Sequence, residues 1–317
     1  MTEKIVVLMS GGVDSSMAAL RLVEQGYEVV GATFLHGLAD RESEKNQIAD
    51  VEAVAGRLGI HHETIDCSER FHRMVIEPFV EAYCAGLTPN PCFRCNPNMK
   101  FRLGIELADR LGARWLATGH YARIARTNDG TRLACALDQS KDQSYFLAGL
   151  PPSMLTRLYF PLGELRKDEV RDLARKHELP ISDKEESQEI CFAGTGNVHS
   201  FFAQRNLSEP GDIVDREGRI LGRHRGIVHY TVGQRRGLGL AGGPYYVMAL
   251  DARRNRVIVG RHEDLYASEV KAIVPNYLVR IERGMVAKAK IRSRHEAAEC
   301  RIIDTSDESF SVRFSEP

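Results

Sequence analysis

No apolar run in this 317-residue chain exceeds six residues, 245–250, whereas a membrane-crossing helix needs about 20. After Lys4 only five apolar residues precede Ser10-Gly11-Gly12, too few for the core of a secretory signal. A cytoplasmic protein without a membrane partner is therefore expected. Charge of one sign is not in excess either: 43 basic residues face 43 acidic ones. With 27% charged and 43% hydrophobic residues, the chain is neither disordered nor collagen-like, and its length suits two or three domains. Cysteine is too sparse, and its count of seven is odd, so a disulfide scaffold is excluded. In a reducing compartment the close pair Cys92 and Cys95 then points to metal binding or sulfur chemistry.

The balanced total hides a gradient. Residues 1–200 carry 23 basic and 28 acidic side chains, whereas the remainder carries 20 and 15. Between Arg219 and Arg261 nine arginines and no lysine face a single acid, Asp251. Guanidinium forks match phosphate and stack on bases, so a nucleic-acid partner competes with a merely solvated basic surface. At residues 286–294 strict alternation puts Lys288, Lys290, Arg292 and Arg294 on one face of an expected strand. Such a stripe suits an anion lying across it.

The first 120 residues alternate short apolar runs with helical patterns, the texture of a parallel sheet with crossover helices. Strands are expected at 4–9, 28–34, 61–66 and 114–120. Helices are expected after Asp14 or Ser15 as cap, at 47–58 and at 98–111, with Gly26 ending the first. Asn128-Asp129-Gly130 turns a hairpin. Beyond about residue 202 glycine turns and short strands dominate. The expected fold class is α/β, a doubly wound parallel sheet followed by β-rich domains, divided as 1–203, 204–266 and 267–317.

Met9-Ser10-Gly11-Gly12-Val13-Asp14-Ser15-Ser16 joins the first strand to the first helix. Two glycines let backbone approach an anion, a helix N-terminus attracts it, and three serines add hydroxyls. Asp14 is a poor phosphate neighbour unless Mg²⁺ offsets it, so a metal is expected. The string has neither the Gly-Lys-Ser/Thr of a Walker loop nor the G-x-G-x-x-G of a dinucleotide site. It resembles the PP-loop of the ATP pyrophosphatase superfamily, which implies AMP transfer from ATP with release of pyrophosphate.

Thr88-Pro89-Asn90-Pro91-Cys92-Phe93-Arg94-Cys95-Asn96 reads as a proline-fixed loop in which a cysteine beside an arginine and a helix N-terminus has reason to ionise. The pair alone is also compatible with a redox site or part of a zinc site completed by Cys84. Cys191, taken singly, is an inert buried thiol, and Cys67, Cys84, Cys135 and Cys300 are taken as structural.

Five motifs in order, TPNP-x-x-x-CN, ATGHYAR (117–123), KDQSYFL (141–147), SQEICF (187–192) and YTVGQRRGLG (230–239), resemble the tRNA-specific 2-thiouridylase family from Ile5 to about Arg294. The resemblance implies that ATP adenylates the C2 oxygen of a wobble uridine and that sulfur then displaces AMP. Cys191 matches the persulfide carrier and Cys95 its partner cysteine. ATP contacts are implied at Leu8, Met9, Ser10, Gly11, Gly12, Val13, Asp14, Ser15, Ser16, Leu35 and Gly119. Contacts to tRNA are implied at Asn90, Pro91, Cys92, His120, Lys141, Asp142, Gln143, Arg235, Arg236, Arg292 and Ser293. Expected partners are tRNA and a sulfur donor, either a persulfide carrier protein or sulfide, acting on a monomer.

Two features depart from the family. Many members carry aspartate at the position of Cys92, and a third thiol raises the alternative of a 4Fe-4S cluster on Cys92, Cys95 and Cys191. Family members also continue past a segment like Val312-Arg313-Phe314, so a reduced C-terminal β-barrel is expected. Two other functions compete: an AMP-forming synthetase acting on a small metabolite, and a tRNA-binding protein with a vestigial loop. Neither accounts for the phosphate loop, the paired cysteines and the arginine run together.

Overall fold

The computed structural model describes residues 2–37, 41–128, 130–184, 190–192, 198–203, 205, 207 and 209–316. Contacts divide the chain into two compact units: the first holds Met1–Met74, Cys92–Gln188 and Asn276–Arg280, the second Val75–Pro91, Glu189–Pro275 and Ile281–Pro317.

The first unit begins with β1 (Lys4–Leu8), α1 (Val13–Glu24), β2 (Glu28–Leu35), α2 (Arg41–Leu58), β3 (His61–Asp66) and α3 (Ser68–Phe71). Glu77–Cys84 forms α4, in the second unit, and Pro91–Cys95 forms α5, across whose first peptide the boundary runs. Then follow α6 (Phe101–Arg110), β4 (Trp115–Thr118), β5 (Arg123–Thr127), β6 (Gly130–Ala134), α7 (Ser144–Leu147), α8 (Pro152–Leu155), β7 (Leu158–Tyr159) and α9 (Lys167–Lys176). The five-stranded sheet runs β3-β2-β1-β4-β7 and every pairing is parallel. Side chains alternate along β1: Ile5 and Val7 pack with Met17, Leu22, Val51 and Val170 on one face, while Val6 joins Phe101, Leu107 and Leu116 on the other. Both faces are thus covered by helices, which is why the strands read as near-continuous apolar runs. Strand order reverses at β1 and β4, and in such sheets the crevice beyond the carboxyl ends at that point is where ligands bind.

Several local expectations change. The cap of α1 is Gly12, which has no side chain to cap with, and Ser15 lies inside the helix with its hydroxyl turned back to the Gly12 carbonyl at 3.1 Å. Gly26 follows the helix at φ +82°, which only glycine adopts without strain, and it ends α1 as expected. The proline-fixed loop is helical from Pro91, since proline suits the first helical position, where its missing N–H leaves no bond unmade. A π-helical turn, Asn96–Lys100, then leads into α6.

In the second unit α10 (Val198–Ala203) is followed by β8 (Gly211–Val214), β9 (Ile220–His224), β10 (Tyr246–Asp251) and β11 (Arg256–Gly260), in the order β10-β11-β8-β9. Ile213, Tyr230, Val247, Val257 and Val259 form its core. A second sheet, order β12-β15-β14-β13, is antiparallel and holds β12 (Glu269–Ile273), β13 (Val286–Ala289), β14 (Ala298–Thr305) and β15 (Ser309–Phe314) around Cys300, Ile302 and Val312. The basic strand expected over 286–294 stops at Ala289, and Arg292 lies in a bend beyond it. Its guanidinium donates to the Val232 carbonyl at 2.9 Å, an anchor that continued strand pairing did not anticipate. Among the described residues no helix is long and apolar enough to cross a membrane.

Candidate functional site

The phosphate loop sits where the strand order reverses. Met9 extends β1 by donating its N–H to the Ala32 carbonyl, and its own carbonyl accepts from Thr33 Oγ1 at 2.8 Å. Gly11 takes φ +72°, a left-handed turn that releases the chain toward α1. The loop then braces itself: Ser10 N–H donates to Ser15 Oγ (3.1 Å), and the Ser16 hydroxyl donates to the Gly12 carbonyl (3.0 Å). Those hydroxyls therefore shape the loop, and the N–H groups of Met9, Ser10 and Ser16 are likewise taken up within the fold.

Gly119, just past β4, closes the cradle from the other side. A Cβ there would stand 2.6 Å from the Asp14 carbonyl carbon and 2.7 Å from Ser15 N, so only glycine lets the β4 end lie against the loop. Next to it, half-buried His120 pairs Nδ1 with Thr118 Oγ1 at 2.7 Å and packs between the rings of Phe101 and Phe160. Leu35 ends β2 on the same edge of the sheet.

Asp14 differs from its expected part. Its carboxylate is neutralised within the fold: Lys167 Nζ lies 2.6 and 2.8 Å from its two oxygens, and the Tyr121 hydroxyl donates to Oδ1 at 3.0 Å. The argument that Asp14 demands a metal ion therefore loses its basis, because a buried ammonium already offsets it. Lys184 also reaches the loop, donating to the Gly11 carbonyl at 2.9 Å and pairing with Asp50. Sequence reasoning found neither lysine, nor Tyr121, since each lies more than 100 residues from the loop and no local pattern links them.

Cys92 and Cys95 occupy one short helix at i and i+3, the same side of a helical turn. The expected ionisation is not met. Burial pushes both thiols above the usual range, although the Lys100 ammonium pulls the other way. Arg94 offers no help, because its guanidinium donates to the Met74 carbonyl at 3.2 Å. Cys67, taken as structural, is buried near Cys95 with its thiol on the Leu35 carbonyl at 3.0 Å. Burial pushes it up to about 12, with Asp66 and Cys95 adding to the rise.

Lys100 also acts on two histidines at the same edge. Burial, then the Lys100 charge, lowers His36 to about 4 and His120 to about 3. Unfolded histidine takes its proton near pH 6.5, so between there and about pH 4 the unfolded chain holds more protons. The stabilising difference is present above pH 6.5 and is lost as pH falls toward the folded values. Urea unfolding midpoints are expected to drop steadily from pH 6.5 to 4, with less drop in His36→Phe, whose ring keeps the contact with Phe71. Equal slopes in the two proteins would refute the assignment.

In the second unit Cys191 is exposed, which departs from the buried thiol it reads as when taken singly, outside its motif. Its neighbour Phe192 is buried, packing edge-on against Phe79 at 5.0 Å and Phe201 at 5.4 Å, so an aromatic cluster anchors the chain and leaves the thiol outside. The rest of the SQE motif, 187–189, lies outside the described residues. Among the described residues no cysteine forms a disulfide, and no three His, Cys, Asp or Glu side chains are grouped to hold a metal ion.

The implied tRNA contacts fall into two classes. Asp142 accepts from Ala136 N–H (2.9 Å) and the Ser144 hydroxyl (2.7 Å), and Gln143 Oε1 accepts from Tyr121 N–H (2.9 Å). These two side chains order the segment that aims Tyr121 at Asp14. Asn90 precedes α5, and Pro91 is its first residue. Arg235 and Arg236, in contrast, are exposed on a turn that Gln234 braces through Thr231 N–H (3.1 Å) and the Arg236 carbonyl (3.0 Å). Arg292, beside Ser293, donates to the Val232 carbonyl, so a distant stretch of chain is tied three residues before Arg235. The arginine run is less basic than its sequence suggests: Arg219 pairs with Asp215 and Glu217, Arg223 with Asp212, and Arg254 with Asp251.

Family models match the chain as "tRNA methyl transferase HUP domain" over residues 3–195 and "tRNA methyl transferase PRC-barrel domain" over 199–261. A protein of Acidithiobacillus ferrooxidans named tRNA-specific 2-thiouridylase MnmA is 44% identical over 325 residues, covering 99% of this chain and 91% of that protein. Its namesake in Geobacter metallireducens is 44% identical over 337 residues, covering 100% and 92%. Among solved structures, the U34-tRNA thiolase NcsA from Methanococcus maripaludis, described with its [4Fe-4S] cluster, aligns at 18% identity and TM-score 0.41 over 60% of this chain and 61% of that one. From the sequence relatives and the matched domains, the chain belongs to the tRNA-specific 2-thiouridylase family.

Proposed function

We propose that the protein is a cytoplasmic tRNA-uridine 2-sulfurtransferase, which uses ATP to replace the C2 oxygen of a wobble uridine by sulfur. The reading is supported by the glycine turn that follows β1 and by the Cys92–Cys95 helix turn of the same unit, whose Cys95 lies near Cys67, a thiol bonded to the Leu35 carbonyl at the end of β2. Residues 1–203 would run the ATP chemistry, 204–266 bind tRNA, and 267–317 form a barrel-like support. The glycine cradle receives the pyrophosphate of Mg²⁺-bound ATP while the uridine C2 oxygen attacks the α-phosphorus. AMP on that oxygen turns a poor leaving group into a good one. A persulfide on Cys191 then attacks C2 and expels AMP. Attack of Cys95 on the Cys191 sulfur releases 2-thiouridine and leaves a Cys95–Cys191 disulfide, which an external dithiol reduces.

The raised Cys95 thiol fits this order, since a protonated thiol spares the persulfide until the base is in place. The relatives' name, rather than the methyl-transfer label of the matched models, suits a phosphate cradle and exposed thiol. The persulfide route needs two cysteines, whereas a cluster needs Cys92, Cys95 and Cys191 gathered around iron. Iron counting after anaerobic reconstitution separates them, and full turnover by an iron-free protein excludes the cluster. The whole proposal is tested by mass spectrometry of wobble nucleosides after incubation with ATP, Mg²⁺, unmodified tRNA and a sulfur source. If 2-thiouridine fails to form while a carboxylate metabolite drives pyrophosphate release, the protein is a small-molecule synthetase.

Arg235→Ala with Arg236→Ala is expected to weaken binding to all substrate tRNAs alike. Removing two phosphate contacts should flatten the slope of log affinity against log salt by about 1.5. An unchanged slope would place the tRNA backbone elsewhere.

A further inference from the structure

We propose that Thr33 is a positioning residue of the phosphate turn: its hydroxyl holds the Met9 carbonyl, and His62 is locked behind it as a donor. The assignment rests on the ATP reading above. Thr33 lies in β2, only 1% exposed, and its Oγ1 donates to the Met9 carbonyl at 2.8 Å. A hydroxyl has one proton to give. With that proton on Met9, the 2.9 Å contact between Thr33 Oγ1 and His62 Nε2 requires the imidazole to donate. Burial lowers His62 below the usual histidine range, so near pH 7 the ring is neutral and its one proton sits on Nε2. The result is a directed chain from β3 through β2 to the residue that opens the turn, His62 N–H to Thr33 O–H to Met9 C=O.

Packing alone does not ask for threonine here, since valine has the same shape and no hydroxyl to satisfy in the core. What the hydroxyl adds is control of one peptide. The Met9 carbonyl and the Ser10 N–H belong to the same plane, and that N–H donates to Ser15 Oγ at 3.1 Å. Thr33 and Ser15 therefore grip the two edges of one peptide, and its rotation is fixed just before Gly11 turns the chain left-handed toward α1. The neighbouring strands make room for the grip. Gly31 pairs with His62, and a Cβ on Gly31 would stand 2.8 Å from Met9 Sδ and 3.1 Å from His62 Cδ2. Glycine thus lets the Met9 side chain and the imidazole close over β2, where Thr33 joins their polar groups.

Thr33→Val removes the grip with little change of shape. Titration of the full chain with inorganic pyrophosphate, ATP and AMP, each with Mg²⁺, is expected to show pyrophosphate and ATP binding weakened about tenfold and AMP binding within about twofold of wild type. Thr33→Ser keeps the hydroxyl and should recover most of the loss. His62→Leu removes the donor but leaves the Met9 bond, and should cost less than Thr33→Val. Long-range ¹⁵N–¹H NMR of the wild-type imidazoles is a readout independent of how any variant folds, and His62 is expected as the Nε2–H tautomer. A proton on Nδ1, a Thr33→Ser protein no better than Thr33→Val, or equal weakening of pyrophosphate and AMP would overturn the assignment. A wild-type protein that binds neither ATP nor pyrophosphate would overturn the ATP reading with it, whereas wild-type binding left unaltered in Thr33→Val would overturn the threonine's part alone.

Discussion

Cys191→Ala is expected to eliminate 2-thiouridine formation, by more than a thousandfold, while pyrophosphate release on addition of tRNA persists. The two half-reactions use different atoms. In the proposed mechanism adenylation uses the loop, Mg²⁺-ATP and the uridine oxygen, none of which involves a thiol. Sulfur delivery needs a side chain that can hold sulfane sulfur, and alanine has none. Because Cys191 is exposed and Phe192 supplies the anchoring contacts, the variant should melt within about 0.5 kcal/mol of wild type. Cys95→Ala should fail differently. Its buried thiol gives up packing, costing about 1 kcal/mol, and the sulfur stalls as a mixed disulfide between Cys191 and the base. Mass spectrometry of the tRNA-bound protein detects that adduct. Retained thiolation in Cys191→Ala would sink the persulfide route, and absence of the adduct in Cys95→Ala would sink the order of steps.

Gly119→Ala should be nearly as damaging, at the opposite half-reaction. The new Cβ would meet the backbone of Asp14 and Ser15 at 2.6 to 2.8 Å, and neither neighbour is a flexible side-chain tip that can swing aside. Either β4 or the loop must move. Overpacking of this kind costs about 1–3 kcal/mol, and a displacement near 1 Å in a phosphate cradle costs on the order of a hundredfold in rate. ATP-dependent pyrophosphate release is expected to fall by that factor. Gly56→Ala is the control: it lies inside α2 with nothing within 4 Å of an added Cβ, and alanine there should stabilise the helix by up to about 1 kcal/mol. If Gly119→Ala releases pyrophosphate at the wild-type rate, the β4 end does not shape the ATP site.

The expectation that Cys92 and Cys95 ionise failed for a reason visible only in three dimensions. Sequence shows a neighbouring arginine, but not that the guanidinium turns to a main-chain carbonyl or that α5 is folded into the unit. The same limit applies to the arginine run: three of its members pair with Asp212, Asp215, Glu217 and Asp251, most of which lie just outside the acid-free stretch.

What the chain determined by itself is local: alternating apolar runs imposed the parallel sheet, Gly26 ended α1, and strand-loop-helix order made the phosphate turn, because these depend on neighbours a few residues apart. The tertiary structure alone decided which charges meet. Lys167 reaches Asp14 across 153 residues, Arg292 ties to Val232 near Arg235, and Gly119 must be glycine because the first turn of α1 occupies the space of its Cβ. Coulomb forces and steric exclusion act through space, so no spacing along the chain announces them.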